Sequence, residues 1–432
     1  MTNLKSTEKD FLEVIKQSDC GKKVADRRIV NSQFAICDSQ WVTPQSAIRN
    51  PQFEGGSSSL PGLYIHIPFC LTKCEYCSFY SVTSLKDIPE FLGALFKEME
   101  MYRGAWGPVD TVYVGGGTPS VLSRENLTAL LEKAREHFSL LPDVEITLEA
   151  NPGDLDLSFL QFLREIGINR LNIGVQSLDH KILGFLGRRH SPREALSSLE
   201  DSRRAGFENI GIDLIYGMPG QEIDSWLETL SQTLAYSPEH LSCYELTLEH
   251  ESSLERRYHK GEFHLPAEDL QYEYFVRTSE MAENRGYTHY EVSNFAKGMN
   301  FASRHNQKYW DHTPYLGLGP GAHSFAENRR WWNLRSVGRY VREIRAERFP
   351  VEGSEILTLE QLRLEALFLG LRTRTGINLR DFARQYECDL AAEKGTLIEQ
   401  FQRRGFISIQ NGILTPTRTG LALADHLALL TP

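Results

Sequence analysis

In the stretch YIHIPFCLTKCEYC (residues 64–77), a strand-like apolar pattern runs directly into three closely spaced cysteines. Cys70, Cys74 and Cys77 have the spacing C-x-x-x-C-x-x-C, which brings three thiolates to one metal centre. A [4Fe–4S] cubane normally takes four cysteines, so three ligands leave one iron free to bind another molecule. The spacing therefore predicts an iron–sulfur cluster with an open coordination site.

Zinc and disulfide bonds are the alternatives for these cysteines. Structural zinc needs a closed set of four Cys or His ligands, and His66, the nearest candidate, lies within the apparent strand. Seven cysteines are an odd count for disulfide pairing. Cys20 and Cys37 are far apart and lack metal-like spacing, which is typical of free thiols. The spacing therefore favours a cluster over zinc.

Composition narrows the class of protein. The 432 residues are 41% hydrophobic, enough for one large α/β domain and a small appendage. The 57 acidic residues outnumber the 47 basic ones, and a net charge of -10 disfavours nucleic-acid partners. No apolar run reaches the length of about eighteen residues that a transmembrane segment needs, and the first residues lack an apolar leader. We therefore expect a cytoplasmic protein.

Strand-like and helix-like patterns alternate over residues 61–290, after a polar extension at residues 1–60 that we expect to be poorly ordered. The strands are predicted at residues 63–67, 111–114, 144–149, 170–175, 210–216 and 240–246. The helices are predicted at residues 88–102, 124–138, 158–166, 193–205 and 222–234. This alternation predicts a parallel sheet covered by helices, in a partial (β/α)6 TIM-like barrel.

The remaining chain lacks this alternation. We interpret residues 291–355 as a connecting segment. Residues 356–432 hold helical patterns at 359–371 and 379–386, a third helical stretch, and Asn411-Gly412 between two apolar runs, which predicts a hairpin. Helices followed by a hairpin indicate a small winged-helix-like domain, and in an acidic protein we expect it to serve packing or partner binding rather than DNA recognition.

Five polar or glycine-rich segments follow the predicted strands. They are the cysteine loop and residues 115–119, 149–152, 174–177 and 213–219. Because the carboxyl ends of barrel strands carry the active site, we expect these segments to converge on one mouth.

From about Leu63 onwards the sequence resembles the family of oxygen-independent coproporphyrinogen III oxidases and, within it, the HemW branch of radical S-adenosylmethionine (SAM) haem chaperones. The resemblance implies a radical SAM barrel in which the free iron of a [4Fe–4S] cluster chelates SAM. It also implies the positions that contact the SAM molecule. These are Tyr64, Tyr76, Gly116, Gly117, Thr118, Glu149, Gln176, Arg188 and Asp213, with Arg189 as an alternative to Arg188.

Two features indicate the chaperone branch. The oxidases carry a further cysteine two residues beyond the third ligand, where this chain has Phe79. The run RHNQKYW (residues 304–310) contains the H-N-x-x-Y-W haem motif of that branch, formed here by His305, Asn306, Tyr309 and Trp310. An imidazole is a common axial ligand of haem iron, and aromatic rings can lie flat against a porphyrin. A histidine followed by aromatic residues is also an ordinary core pattern.

Two further positions, Ser303 and His323, bear on which residue would bind haem iron. Many members of the branch have a cysteine at the position of Ser303. His323, within GPGAHS (residues 319–324), is a second candidate ligand, or a structural residue at a glycine turn.

The resemblance implies a haem chaperone that binds a cluster, SAM and haem and passes haem to acceptor haemoproteins, with a reductant protein serving the cluster. The first alternative is an oxygen-independent coproporphyrinogen III oxidase. The second is a radical SAM methyltransferase that degrades haem.

Overall fold

The computed structural model describes residues 60–427, and strands and helices alternate along most of this range from Gly62 onwards. The strands are β1 (Gly62–Ile67), β2 (Val109–Gly116), β3 (Leu140–Ala150), β4 (Arg170–Gln176), β5 (Ile210–Tyr216), β6 (His240–Glu245), β7 (Thr288–Glu291), β8 (Asn294–Ala296), β9 (Tyr315–Leu318), β10 (His323–Ala326), β11 (Arg329–Asn333), β12 (Val351–Ile356), β13 (Ile377–Asn378), β14 (Ile407–Gln410) and β15 (Ile413–Pro416). The extension predicted at residues 1–60, with Cys20 and Cys37, lies outside the described residues apart from Leu60.

The helices are α1 (Ile88–Met101), α2 (Arg124–His137), α3 (Leu157–Glu165), α4 (His180–Phe185), α5 (Pro192–Arg204), α6 (Ile223–Ala235), α7 (Ser253–His259), α8 (Glu268–Asn284), α9 (Arg304–Trp310), α10 (Val337–Arg345), α11 (Leu359–Gly370), α12 (Leu379–Tyr386), α13 (Leu390–Arg403), α14 (Arg418–Ala422) and α15 (Ala424–Leu427). None of the helices in the described part of the chain combines the length and the hydropathy needed to span a membrane.

Within residues 60–427, twelve strands form one sheet in the order β12-β11-β10-β9-β1-β2-β3-β4-β5-β6-β8-β7. Strands β1 to β6 lie side by side and parallel, and β9 adds a parallel neighbour to β1. The intervening helices cover the sheet. The prediction of an α/β fold built on a parallel (β/α)6 core is confirmed.

Side chains of β1 alternate between the two faces of the sheet, so one face packs into the hydrophobic core and the other lines the site. Leu63, Ile65 and Ile67 are at most 1% exposed and join the main hydrophobic core. Tyr64 and His66 point to the opposite face, because successive side chains of a strand alternate. In register they lie beside Tyr113 and Gly115 of β2. The inner face of the sheet is therefore polar and aromatic.

The segment at residues 291–355, interpreted from the sequence as a connection, continues the same sheet. Strands β9 to β12 extend it beyond β1, and β10, β11 and β12 pair antiparallel. The helix α9 contacts β2, and α10 packs against α1. The described strands of this segment are short and largely antiparallel, so they lack the strand–helix alternation that marks residues 61–290.

The C-terminal module has its own small sheet, in the order β13-β15-β14, and its own hydrophobic core. Asn411 and Gly412 have φ angles of 53° and 76° in the turn between β14 and β15, as a two-residue hairpin loop requires. The predicted winged-helix-like arrangement is thus present. The module docks on the main unit, where Arg330 of β11 donates to Glu365 of α11 at 2.7 Å.

Glu98 of α1 is a buried carboxyl that joins several elements of the main unit. Its side chain is 0% exposed and accepts hydrogen bonds from Gly319 N (2.8 Å), Asn333 Nδ2 (2.8 Å) and Tyr340 Oη (2.6 Å). Burial raises the pKa of Glu98 to about 7. Gly319 has a φ of +94°, and a Cβ there would lie 2.5 Å from His66 O. Glu98 therefore holds the turn after β9 against the end of β1.

We expect Glu98→Ala to lower the free energy of unfolding by about 3 kcal/mol, because three donors lose their buried acceptor. Urea unfolding followed by circular dichroism measures this loss, and an unchanged midpoint would contradict it. Glu98→Gln keeps the shape and serves as the control. Because the folded pKa exceeds the unfolded one, wild-type stability should fall as pH rises from about 4.5 to about 7, and the Gln variant should lack this component.

Candidate cluster and cofactor site

The cysteine loop lies where β1 ends. Cys70 is 8% exposed and Cys74 and Cys77 are half-buried, and all three are free thiols. Backbone hydrogen bonds hold the loop at both ends, from Cys70 N to Val82 O (3.0 Å) and from Glu75 N to Leu186 O (3.1 Å). The loop is therefore ordered by main-chain contacts.

Two side chains from other loops donate to the cysteine sulfurs. Thr118 Oγ1 is 3.4 Å from Cys70 Sγ, and Arg188 Nη1 is 3.4 Å from Cys74 Sγ. Burial, with the neighbouring thiols adding to it, raises the pKa of Cys77 to about 11. A bound metal centre would offset this, because its positive charge favours the thiolate form. Three free thiols, two of which accept a side-chain hydrogen bond at sulfur, fit a thiolate-bound cluster.

The described side chains offer no comparable site for a single metal ion such as zinc. Across residues 60–427, no group of three or more His, Cys, Asp or Glu side chains has a geometry that could hold one metal ion.

The glycine segment after β2 packs tightly against the cysteine loop. A Cβ on Gly116 would lie 2.5 Å from the His66 ring, and one on Gly117 would lie 2.7 Å from Phe69 O. The amides of Gly117 and Thr118 donate to Ile67 O and Phe69 O at 2.8 Å each. These two amides, expected from the resemblance to hold SAM, are thus bonded to the strand end and the cysteine loop.

Two carboxyls line the inner face near the mouth. Glu149 of β3 accepts from Tyr113 Oη (2.7 Å) and Gly116 N (3.1 Å), and Asp213 of β5 accepts from Asn172 Nδ2 (2.7 Å). Burial raises the pKa of Glu149 to about 7, and the nearby Asp213 charge also raises it. Burial likewise raises the pKa of Asp213 to about 6. This part of the site therefore favours a cationic ligand.

Arg188 reaches into the same space from the loop after α4. Its Nη2 donates to Asn151 Oδ1 (2.7 Å) and Gly174 O (2.5 Å). Arg189 is exposed and pairs with Asp154 instead. The structure thus distinguishes the two arginines, because Arg188 contacts a cysteine of the loop and Arg189 does not.

Gln176 and Tyr76 complete the predicted SAM positions. Gln176 ends β4 beside a β-bulge with a φ of +66°, and its side chain is 8% exposed. Tyr76 packs against a small apolar cluster that includes Leu186 and Met218. Tyr64 donates or accepts at His66 Nδ1 over 3.0 Å.

Three buried polar atoms in this region have no hydrogen-bond partner. They are Asp213 Oδ1, Arg188 Nε and Asn151 Nδ2. Buried polar atoms are normally paired, so an acceptor and two donors without partners leave a hydrogen-bonding demand that a polar ligand could satisfy. SAM carries the matching ammonium, carboxylate and hydroxyl groups. Asn151 lies in the segment 149–152 that was expected at the mouth, but neither it nor Asn172 was singled out as a SAM position. The place of Asn172 on the inner face of β4 is the signal that could have found it.

The H-N-x-x-Y-W motif forms α9 at the other end of the sheet. His305 is 0% exposed; its Nδ1 lies 2.9 Å from Thr111 Oγ1 near the start of β2, and its Nε2 lies 2.9 Å from Tyr309 Oη. Burial lowers the pKa of His305 to about 3. Both ring nitrogens are therefore occupied, and an iron ligand role would require one of these hydrogen bonds to break.

The rest of α9 fastens it to the sheet. Ser303 caps the helix by accepting from Asn306 N (3.3 Å), and Trp310 packs against Tyr290 with ring centroids 5.9 Å apart. Lys308 Nζ lies 2.7 Å from Asp110 Oδ1 and donates to Leu60 O at 2.6 Å. This helix closes the amino-terminal side of the sheet, away from the cysteine loop. His323, the second candidate, instead begins β10 beside the turn that contacts His66.

Comparisons with known proteins agree with this architecture. Residues 64–232 match the family model of the radical SAM superfamily, and residues 357–423 match the HemN C-terminal domain. The protein "Heme chaperone HemW" of Bacillus subtilis is 34% identical over 368 residues, covering 84% of this chain and 97% of the relative. The protein of the same name from Mycobacterium tuberculosis H37Rv is 35% identical, covering 84% and 93%.

A mammalian relative and a solved structure extend the comparison. "Radical S-adenosyl methionine domain-containing protein 1, mitochondrial" of Bos taurus is 32% identical, covering 89% of this chain and 90% of the relative. The structure of coproporphyrinogen III oxidase (HemN) from Escherichia coli, described as a radical SAM enzyme, superposes with a TM-score of 0.75 at 23% identity, covering 86% and 90%. This last likeness shows a shared fold.

Proposed function

Because this chain belongs to the HemW family of radical SAM proteins, we propose that it binds a [4Fe–4S] cluster, SAM and haem, and transfers haem to acceptor haemoproteins. The observation that carries the proposal is the match over 97% of the length of the Bacillus subtilis haem chaperone. A cytoplasmic location and a reductant protein for the cluster are part of the same proposal.

Cys70, Cys74 and Cys77 would hold the cluster, which when bound supplies one-electron chemistry to SAM. Thr118 and Arg188 donate to two of the sulfurs and so stabilise their thiolate forms. The backbone contacts of the loop fix the direction in which the thiols point. The chain itself thus orients the three thiols and stabilises negative charge on two of their sulfurs.

Glu149, Asp213 and Arg188 would bind the charged ends of SAM. SAM carries a sulfonium and an ammonium against one carboxylate, and the site offers two carboxyls against one guanidinium. The open Asp213 Oδ1 suits a hydroxyl or ammonium donor, and the open Arg188 Nε suits a carboxylate. SAM therefore carries a net positive charge and the ionised site a net negative one, and this attraction favours binding.

The affinity for SAM should weaken by about tenfold from pH 8 to pH 6, because a carboxyl with a pKa near 7 loses its charge in that range. The group responsible is Glu149, whose pKa burial raises to about 7. SAM must bind its ionised form, so binding releases a proton as pH falls. Anaerobic isothermal titration calorimetry measures the dissociation constant at each pH.

Glu149→Gln is the matched control for this pH dependence. It keeps the size of the side chain and removes the charge, so SAM should bind more weakly and with a flatter profile between pH 8 and pH 6.5. A wild-type affinity that does not change with pH would contradict a role for Glu149 in binding the cation.

Coproporphyrinogen III oxidase is the second candidate, favoured by the shared fold with HemN. The oxidase resemblance calls for a further cysteine two residues beyond Cys77, and Phe79 stands there with a side chain that is 47% exposed. A phenyl ring offers neither a thiol nor a titratable group. We therefore place haem transfer ahead of decarboxylation.

Haem transfer kinetics test the proposed function. The full-length chain, reconstituted with its cluster and loaded with haem, is mixed with an apo b-type cytochrome as acceptor or with excess apomyoglobin as a scavenger of released haem. A chaperone should transfer haem to the cytochrome at a rate that rises with cytochrome concentration and exceeds spontaneous release. If both acceptors take haem at the same concentration-independent rate, the chain only releases it and the proposal fails.

A further inference from the structure

We infer that Asn172 is a positioning residue for SAM, which holds Asp213 so that one of its carboxylate oxygens stays open to the ligand. This inference rests on the proposed function, in which Asp213 binds a charged end of SAM. It adds a side chain that is not among the contacts expected from the family resemblance, together with Gly211, the glycine that makes room for it.

Asn172 lies between the strands that carry the two carboxyls of the inner face. In register it stands beside Glu149 of β3 and Gly211 of β5. Its Nδ2 donates to Asp213 Oδ2 at 2.7 Å, and an ionised carboxylate only accepts, so the amide nitrogen must face it. Asp213 Oδ1 is buried and has no hydrogen-bond partner within residues 60–427. Asn172 thus fixes one oxygen of Asp213 and leaves the other for a ligand.

Gly211 leaves the space that the Asn172 amide occupies. A Cβ at this position would lie 2.6 Å from Asn172 Oδ1, which is closer than side-chain atoms approach one another. Its other near contacts, with Leu171 O at 3.4 Å and His240 Nδ1 at 3.5 Å, would be ordinary. The φ angle of Gly211 is outside the left-handed region, so the backbone itself does not require a glycine. The glycine therefore serves the placement of the amide.

The amide also acts on the charge of Asp213. Burial raises the pKa of Asp213 to about 6, and contacts with Ser242 and Asn172 act against this rise. An amide stabilises the ionised carboxylate without adding a charge of its own. Loss of the amide should therefore raise the pKa of Asp213 further, so that the ionised form needed for SAM becomes scarcer as pH falls.

Several other ionisable groups face Asp213. The charged ones are Glu149 of β3, Arg170 of β4 and Arg188 in the loop after α4. Among these three, Glu149 changes its charge between pH 6 and pH 8, because its pKa is about 7. Burial raises the pKa of each phenol and thiol near Asp213, so these groups stay neutral in that range; they are Tyr76, Tyr113, Tyr244 and Cys243.

Anaerobic calorimetry of SAM binding to the full-length, reconstituted chain tests the inference. Asn172→Ala should weaken SAM binding by about tenfold at pH 6.5 and by less at pH 8, because a hydrogen bond to a charged group is lost and Asp213 is protonated more readily. A merely structural role would lower the affinity equally at both pH values. Iron content and circular dichroism confirm that each variant keeps its cluster and its fold.

Gly211→Ala acts on Asn172 without changing any polar group. It should weaken SAM binding severalfold in the otherwise wild-type chain, because the new methyl group displaces the amide. In the Asn172→Ala background it should have little further effect, because the atom that the methyl group would strike is gone. The inference fails if Gly211→Ala leaves the affinity of the otherwise wild-type chain unchanged, or lowers it equally in both backgrounds.

Asn333→Ala is the matched control, because Asn333 Nδ2 also donates to a buried carboxyl, Glu98 Oε1, at 2.8 Å, but lies on β11. It should bind SAM with the wild-type affinity and pH profile. If Asn172→Ala binds SAM as the wild-type chain does at both pH values, the inference is wrong while the proposed function stands. If the wild-type chain binds no SAM, the inference and the SAM-binding part of the proposed function both fail.

Discussion

Replacing any one of Cys70, Cys74 and Cys77 by alanine should reduce iron and sulfide to background after anaerobic reconstitution, whereas the wild-type chain should hold about four irons. The loop supplies only three thiols, and two ligands do not retain a cubane. The broad thiolate-to-iron absorbance should disappear together with the iron. Iron and sulfide analysis on the same samples as the absorbance spectra measures both effects.

Cys388→Ala is the matched control for the cluster variants. Cys388 is also a free thiol, but it is 2% exposed in the core of the C-terminal module, far in sequence from the loop. This variant should reconstitute like wild type. About four irons in the Cys70/Cys74/Cys77 triple variant would place the cluster elsewhere.

His305→Ala should lower the free energy of unfolding by about 3 kcal/mol, because it leaves a buried cavity and removes partners from two hydroxyl groups. Those hydroxyls belong to Thr111 and Tyr309. The sequence motif suggested that His305 would instead be an iron ligand. In the structure its removal should loosen α9 and leave the haem affinity of the folded protein nearly unchanged.

Asn306→Ala tests whether the effect is specific to the buried imidazole. Asn306 lies on the same helix but is only half-buried, so its replacement should cost little stability. Denaturant unfolding and haem titration of the two variants separate the roles. If His305→Ala is as stable as the wild-type protein but no longer binds haem, the prediction is wrong and His305 is an iron ligand.

Much of the parallel core was predictable because apolar residues recur about every 2 positions in strands and about every 3.6 positions in helices. The prediction at residues 210–216 coincides with β5, and the helix at residues 379–386 coincides with α12. Strands β9 to β12 were not predicted because β9, β10 and β11 follow one another without an intervening helix, so they lack the alternation that marked the equally short strands β1 and β6. Their place in the sheet depends on pairing with distant strands, which no local pattern records.

The site was predictable in part for a similar reason. Cysteine spacing is local, so Cys70, Cys74 and Cys77 could be singled out from the chain alone. The contact between Arg188 and Cys74 joins residues 114 positions apart, and the bond between His305 and Thr111 joins residues 194 positions apart. A motif identifies residues that act together, but the end of the sheet on which they lie depends on such long-range contacts.

Product analysis tests whether the chain carries haem without decarboxylating porphyrinogens. The reconstituted protein is incubated anaerobically with coproporphyrinogen III, SAM and dithionite, and the porphyrins are separated after oxidation. We expect coproporphyrin alone, from a protein sample that binds about one haem per chain. Protoporphyrin above the level of a Cys70→Ala control would contradict the chaperone function and show that the chain is an oxidase.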